Sequence, residues 1–246
     1  MSRCDVSLLV FRASYFKAKW NISYFCKIMN YIKNESLSNS LQEYCEKAVI
    51  PRYSAFDKAH REDHVRTVIE QSLELAKFYP EVNVNMVYAA AAYHDTGLTA
   101  GRETHHIISG QIIREDTQLH QWFSDEQIET IAQAAEDHRA SSKNEPRSIY
   151  GRILAEADRI IDGETIIRRT IQYGIAKYPN LTYEQAWKRT LEHLQDKYGY
   201  GGYLHLYIPE SPNAARLENL RKLIADPSEL RVVYDRIYKA EINSEN

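Results

Sequence analysis

The pattern of apolar and polar residues follows the period of an α-helix along most of the chain. Between 60 and 79, apolar side chains recur at intervals of three and four residues, and Pro80 ends the pattern. Residues 198–208 are rich in glycine and tyrosine and predict a loop, or at most a short hairpin. The chain is therefore predicted to be all-α, with helices over these ranges: 37–49, 60–79, 84–94, 104–117, 125–138, 147–161, 183–198, 213–225 and 228–241.

Local sequence signals mark several helix ends. Ser124 with Gln127, and Thr182 with Gln185, each have the spacing of a capping box, in which the two side chains bond each other's backbone N–H groups. The two boxes predict that helices begin at 125 and at 183. Gly97 follows an alanine-rich helix and is expected to permit its C-terminal break.

The chain is expected to comprise an N-terminal segment, a core and a C-terminal extension. Residues 1–28 are basic and aromatic. We interpret them either as a misassigned start, with translation beginning at Met29, or as an amphipathic surface arm. Residues 29–163 are predicted to form the core, and 164–246 a helical extension packed on the same domain. The sequence contains no run of eighteen apolar residues and therefore predicts no membrane span.

Composition and charge exclude several classes of protein. Of the 246 residues, 43% are hydrophobic and 26% are charged, as expected of a globular protein. A net charge of −3 provides no general field for a nucleic acid polymer or an anionic membrane, so a phosphate-bearing partner needs a local site. The three cysteines lie at or before Cys45 and form no CxxC pair, which favours a reducing compartment and a cytoplasmic protein.

Side chains of the metal-ligand type are concentrated between residues 60 and 158. On the predicted helix over 147–161, Asp158 shares a face with Leu154 and Ile161 and is expected to point toward the core. Asp95 follows a buried, alanine-rich helix, and a buried carboxylate is costly unless it is paired or metal-bound. The complete set is His60, His64, His94, Asp95, His105, His106, His138 and Asp158.

One divalent ion would satisfy two buried carboxylates and a buried histidine together. Two imidazoles and two carboxylates suit Mn²⁺, Fe²⁺, Co²⁺, Ni²⁺ or Zn²⁺ better than Ca²⁺. Such a ligand set leaves coordination positions open for water and substrate, as a catalytic site requires. The ligands predicted on this basis are His64, His94, Asp95 and Asp158.

The order of these residues resembles the signature of the HD superfamily of metal-dependent phosphohydrolases. "HREDHVRTV" is similar to the family's first motif, "AAYHDTG" to its "LLHDIG" core and "EADRIID" to its closing "DADRLD". "HHIISGQII" and "IAQAAEDHR" resemble segments that supply further histidines, His105 and His138. The chain departs from the family pattern at Thr67, where arginine is frequent, and at Glu156, where aspartate is frequent.

The resemblance implies an HD-domain helical bundle and hydrolysis of a small phosphoester, with a nucleotide as one candidate, by a metal-activated water. Asp95 would also orient the attacking water, and His60 would contact phosphate or donate a proton. His105, rather than His106, and His138 would contact phosphate or bind a second metal ion. The basic residues expected to meet the charge of the substrate are Arg102, Arg139 and Lys143.

Two other functions remain open at this stage. His105 and His138 provide ligands for a second ion, so the same fold could hold two irons and activate oxygen. A catalytically silent regulatory module would bind metal or nucleotide without turnover. In every case the expected partner is a small molecule, not a nucleic acid polymer or a membrane. The extension is expected to cap the pocket or to form a homodimer contact.

Overall fold

The computed structural model describes residues 36–56, 62–142 and 144–244. These residues contain helices and no strand, which confirms the all-α prediction. Three short 3-10 helices lie at Ile50–Ala55, Thr96–Ala100 and Thr117–Gln121. The α-helices are α1 (Asn39–Ala48), α2 (Glu62–Ala76), α3 (Val84–Tyr93), α4 (His105–Glu115), α5 (Asp125–Asp137), α6 (Ile149–Asp158), α7 (Gly163–Lys177), α8 (Tyr183–Tyr198), α9 (Asn213–Ala225) and α10 (Pro227–Ser244).

Helix α3 runs through the centre of the first hydrophobic cluster, which is formed mainly by α1 to α6. Every residue of α3 from Asn85 to Tyr93 is buried. The alanines at 89–92 add little bulk, so α1, α2, α5 and α6 all pack against this helix. The C-terminal end of α3 is thereby carried into the middle of the bundle.

Helices α7 to α10 enclose a second hydrophobic cluster, which begins at Ile161 and ends at Ile237. Helix α7 packs against α8, α9 and α10. This central helix was not predicted from the sequence. Buried residues recur along α7 with the helical period, and the side chain of Asp162 caps it by accepting a hydrogen bond from Thr165 N at 2.8 Å. The boundaries proposed at 28 and 163 remain predictions, and residues 1–28 lie outside the described part.

Most predicted helices are present, with shifts at their ends. Both capping boxes are confirmed, since each side chain bonds the other's backbone. Residues 199–208 form a loop, without a hairpin. The predicted end of α6 at 161 is wrong: the helix stops at Asp158, and Arg159 has a non-helical ψ of 74°. Ile161 therefore lies beyond the helix and shares no face with Asp158.

The C-terminal extension caps the end of α6. The buried side chain of Asn213 donates hydrogen bonds to Glu156 O at 3.0 Å and to Arg159 O at 2.9 Å. The last carbonyls of a helix have no partner within the helix, so these bonds stabilise its end. The Glu156 carboxylate in turn accepts a hydrogen bond from Tyr207 N at 2.9 Å. No helix of the described residues is long and apolar enough to cross a bilayer.

Gly97 is needed for close packing, and not for the left-handed conformation that often ends a helix. Its φ is not positive, and it lies in the 3-10 helix that follows α3. Its N–H donates a hydrogen bond to Ser109 Oγ of α4 at 2.9 Å. A Cβ atom here would lie 2.1 Å from His105 O and 2.6 Å from Ser109 N. The absence of a side chain lets α4 approach the end of α3.

Replacing Gly97 with alanine is expected to destabilise the protein and displace the first turn of α4. Both overlapping atoms belong to the backbone, so no side-chain rotation relieves the contact. We expect the free energy of unfolding to fall by about 1–3 kcal/mol, as at other overpacked sites. Denaturant unfolding measures the change. The control is Gly201→Ala, where a Cβ meets no described atom within 4 Å. Equal losses in the two variants would contradict the proposed packing role.

Candidate metal centre

Three histidines hold their rings in the same way. In His94, His105 and His138, Nδ1 lies 2.8, 2.7 and 2.5 Å, respectively, from the backbone oxygen three residues earlier. A carbonyl oxygen can only accept a hydrogen bond, so Nδ1 carries the proton and the lone pair of the neutral ring lies on Nε2. A metal ligand needs such a lone pair, and the backbone hydrogen bond also fixes the direction in which the ring points.

Two of these rings are brought together by helix ends. His94 caps the C-terminus of α3, and His138 caps the C-terminus of α5. Each Nδ1–H satisfies a carbonyl of an alanine in the last turn, which has no partner within its helix. The two ring centroids lie 5.2 Å apart. His105 reaches the same place from the start of α4.

The first ligand group consists of His64, His94, Asp95 and Asp158. His64 Nε2 lies 3.2 Å from Asp158 Oδ1 and 3.7 Å from Asp95 Oδ2. His94 Nε2 lies 3.3 Å from Asp95 Oδ2 and 3.8 Å from Asp158 Oδ1. The two Nε2 atoms are 3.4 Å apart. The structure thus brings the four ligands predicted from the sequence to one place.

The second ligand group consists of Asp95, His105 and His138. Asp95 Oδ1 lies 3.3 Å from His105 Nε2 and 3.5 Å from His138 Nε2. The two Nε2 atoms lie 3.3 Å apart. Asp95 therefore directs one carboxylate oxygen to each group, and it joins them.

These distances fit metal ions. Ligand atoms bonded to one ion at about 2.1 Å are about 3.0 Å apart at octahedral angles and about 3.4 Å apart at tetrahedral angles. In the second ligand group, both rings have their proton on Nδ1, so two Nε2 lone pairs face each other at 3.3 Å. Neutral rings in this arrangement repel each other, and a cation between them would remove the repulsion. The donor atoms could therefore hold an ion in each group.

The carboxylates and His105 have protonation states that suit metal binding. Burial raises the pKa of Asp95, but the positive charge of protonated His94 and the neighbouring His138 outweigh burial and hold that pKa well below its usual range. Burial likewise raises the pKa of Asp158, but the hydrogen bond from His64 leaves it lowered. Burial, aided by the charge of His138, lowers the pKa of His105 to about 4. Ionised carboxylates and a neutral imidazole are the forms that bind metals.

Tyr53 holds the backbone next to the metal centre in place. It is fully buried in the 3-10 helix that follows α1. Its hydroxyl donates to Ala92 O at 2.9 Å and accepts from Asp95 N at 3.2 Å. This hydrogen bond pair positions the backbone between the last turn of α3 and Asp95. Tyr53 was not recognised as a functional residue from the sequence.

Replacing Tyr53 with phenylalanine is expected to weaken both folding and metal binding. The change leaves Ala92 O and Asp95 N buried without this partner, so we expect the free energy of unfolding to fall by about 1–3 kcal/mol. Loss of a group that orients a ligand should lower metal affinity by about 10–100-fold. Denaturant unfolding and metal titration measure the two effects. Tyr79→Phe is the control, because its hydroxyl bonds Glu210 at the surface; an equal effect on metal affinity would exclude the positioning role.

A cavity of about 570 Å³ lies beside the first ligand group, and both His64 and Asp158 line it. The rest of its wall comes mainly from α7, α8 and the segment after α6. Asp158 is the only carboxylate among the described lining residues, and five lining side chains are cationic. The cavity is therefore positively charged although the chain has a net charge of −3. The five cations are Arg102, Arg159, Arg169, Arg189 and Lys197.

The other predicted site residues have different positions. Arg102 lines the cavity, whereas Arg139 does not. The guanidinium of Arg139 donates a hydrogen bond to Glu103 O at 2.6 Å. His106 belongs to neither ligand group, although its ring centroid lies 5.4 Å from that of His105. His60 and Lys143 lie outside the described residues, so their predicted roles remain predictions.

Sequence reasoning missed the cations that α7 and α8 contribute to the cavity. The signal was available: Arg189, His193 and Lys197 are spaced four residues apart and therefore share one face of α8. Arg169 could not be assigned to the cavity from the sequence because helix α7 itself was not predicted. The bulk charge predicts that a phosphate-bearing partner needs a local site, and these residues concentrate positive charge in one cavity.

The comparison with protein families agrees with this geometry. The family model of the HD domain matches residues 61–161, a range that extends from the start of α2 to just beyond α6 and contains both ligand groups. Neither the curated proteins nor the solved structures include a significant match. Residues 61–161 are therefore an HD domain.

Proposed function

We propose that this protein is a metal-dependent phosphohydrolase that acts on a small phosphorylated molecule. Proteins of the HD superfamily are generally metal-dependent hydrolases. The observation that carries the proposal is the position of Asp95, whose two oxygens face two ligand groups beside a positively charged cavity. Metal ligands and anion-binding groups thus lie next to each other, as hydrolysis of a phosphoester requires.

The ligands favour a transition metal. Imidazole combined with carboxylate suits Mn²⁺, Fe²⁺, Co²⁺, Ni²⁺ or Zn²⁺. His64, His94, Asp95 and Asp158 would hold one ion, and Asp95, His105 and His138 a second. A bound divalent ion supplies an activated water, with a pKa lowered from about 15.7 toward about 7, and polarises the phosphoryl oxygen.

The residues of the chain supply orientation and charge. Asp95 and the backbone-bonded histidines hold their donor atoms in place before substrate arrives, so little reorganisation is required. Asp158 lines the cavity, and its side chain is 25% exposed. Substrate in the cavity would therefore meet the metal centre at this residue. Arg102 lines the cavity and is suited to bind the phosphoryl oxygens.

Metal removal and replacement test the proposal. Chelator-treated protein should release no phosphate from a panel of nucleotides and sugar phosphates. Adding back Mn²⁺, Fe²⁺, Co²⁺, Ni²⁺ or Zn²⁺ in turn should restore release with at least one ion. Release that is unaffected by chelation, or no release with any of the five ions, would contradict the proposal.

A di-iron oxygenase is the second candidate, because a carboxylate shared by two histidine-containing groups also suits a pair of irons. The two functions differ in a measurable way: the oxygenase consumes oxygen when loaded with iron and releases no phosphate. A silent binding module would bind metal and do neither. The cationic cavity favours the phosphohydrolase.

A further inference from the structure

A stripe of basic residues on α8 faces the cavity. Arg189, His193 and Lys197 follow one another at intervals of four residues, and all three line the cavity. The stripe extends for about 12 Å along the helix axis, at 1.5 Å per residue. Burial and the charges of Lys197 and Arg189 lower the pKa of His193, so Arg189 and Lys197 carry the positive charge of the stripe.

Helix α7 adds to the same wall. Thr165, Arg169 and Tyr173 are spaced four residues apart and line the cavity. Arg169 lines the same cavity as His64 of the first ligand group. Arg189 is held in position by a hydrogen bond to Thr170 O at 3.2 Å and by the ring of Tyr173, whose centroid lies 5.3 Å from its guanidinium carbon.

Arg159 is a buried cation with two unpaired donor atoms. The residue is only 7% exposed and lines the cavity. Its Nε and Nη1 atoms are buried and have no hydrogen-bond partner among the described residues. The guanidinium lies over the ring of Tyr207, 4.9 Å from the centroid, which is an incomplete replacement for hydrogen bonds. The carboxylates of Asp158 and Glu156 act on the charge of Arg159, and a phosphate in the cavity would add a further acceptor for its guanidinium.

We infer that these residues form a second phosphate subsite, so the substrate carries at least two phosphate groups. We call the subsite the cationic wall, defined as Arg159, Arg169, Arg189, His193 and Lys197. The inference rests on the proposed function, in which one phosphate lies at the metal centre. The cavity volume of about 570 Å³ admits a ligand the size of a nucleotide. The cations are spread over two helices, and a single phosphate at the metal centre would leave part of the wall without an anion.

Two pairs of substrates test the inference and distinguish its two chemical forms. The first pair is a nucleoside monophosphate and the corresponding triphosphate; the second is a sugar monophosphate and the corresponding bisphosphate. We expect the wild-type kcat/KM to be at least about tenfold higher for the multiply phosphorylated member of one pair. Preference in the first pair identifies a phosphate chain, and preference in the second identifies two separate phosphates.

Variants locate the preference in the cationic wall. Arg169→Gln and Arg189→Gln should each lower the preference about tenfold, mainly through a higher KM for the multiply phosphorylated substrate. Arg216→Gln is the matched control, because Arg216 is exposed on α9 and does not line the cavity. Equal kcat/KM within both pairs for the wild type, or an unchanged preference in both variants, would overturn the inference.

Calorimetry with inorganic tripolyphosphate and metal-free protein separates this inference from the proposed function. Binding that weakens at least about tenfold in Arg169→Gln and Arg189→Gln supports the cationic wall even if no substrate is hydrolysed. Absence of binding, combined with metal-dependent hydrolysis of singly phosphorylated substrates alone, leaves the phosphohydrolase and refutes the wall.

Discussion

Replacing Asp95 with asparagine is expected to remove both metal ions and nearly all phosphate release. Asp95 is the residue whose carboxylate reaches both ligand groups, with Oδ2 3.3 Å from His94 Nε2 and Oδ1 3.3 Å from His105 Nε2. An asparagine has one neutral oxygen in place of two charged ones, and its amide group would face one pair of imidazole nitrogens. Metal ions contribute several kcal/mol of charge stabilisation, so kcat/KM should fall at least about a thousandfold.

Metal analysis and steady-state kinetics on the same sample measure this result. The control is Asp125→Asn, which alters a similar pair at the surface: Asp125 lies 3.3 Å from His120 Nδ1, and its side chain is 92% exposed. The control should retain the metal content and activity of the wild type. An Asp95→Asn protein that keeps two ions per chain, or most of its turnover, would contradict the shared role of this carboxylate.

Replacing Asp158 with asparagine should empty the first ligand group and leave the second largely intact. Asp158 lies 3.2 Å from His64 Nε2 and contributes to the first ligand group alone. We expect kcat/KM to fall at least about a hundredfold, because the ion that faces the cavity loses an anionic ligand. Metal titration of the purified variant should show one tight ion in place of two.

His138→Ala should give the complementary result. This residue belongs to the second ligand group, so the first ion should remain bound while turnover falls. Asp63→Asn is the control for both variants, since Asp63 is exposed and precedes His64 on α2. Loss of the same ion in Asp158→Asn and in His138→Ala would show that the two groups form a single mononuclear site.

Much of the fold could be predicted because the helical period is strong and local capping signals mark several helix ends. Two features of the fold could not be predicted from the sequence. The end of α6 at Asp158 is stabilised by the side chain of Asn213, which comes from a distant part of the chain and leaves no mark on the local sequence. Helix α7 contains isoleucines, threonines and two glycines, residues of low helix propensity, and tertiary packing of its buried face overrides that tendency.

The grouping of the predicted ligand residues could be anticipated because buried carboxylates and an ordered set of histidines constrain one another. The sequence did not reveal that Asp95 faces two groups, since this depends on where the ends of α3, α5 and the start of α4 meet. Tyr53 was also missed, because its hydroxyl acts on backbone atoms far along the chain. For substrate charge, the prediction favoured loop residues, whereas most cations of the cavity lie on α7, on α8 or directly after α6.

Anomalous diffraction from crystals of the Mn²⁺-loaded protein tests directly whether Asp95 joins a pair of metal ions. We expect two anomalous peaks per chain, each about 2.0–2.3 Å from a different oxygen of Asp95. One peak should also contact His64, His94 and Asp158, and the other His105 and His138. A map with no peak beside Asp95, or with a single peak contacting both histidine pairs, would contradict a metal pair joined by this carboxylate.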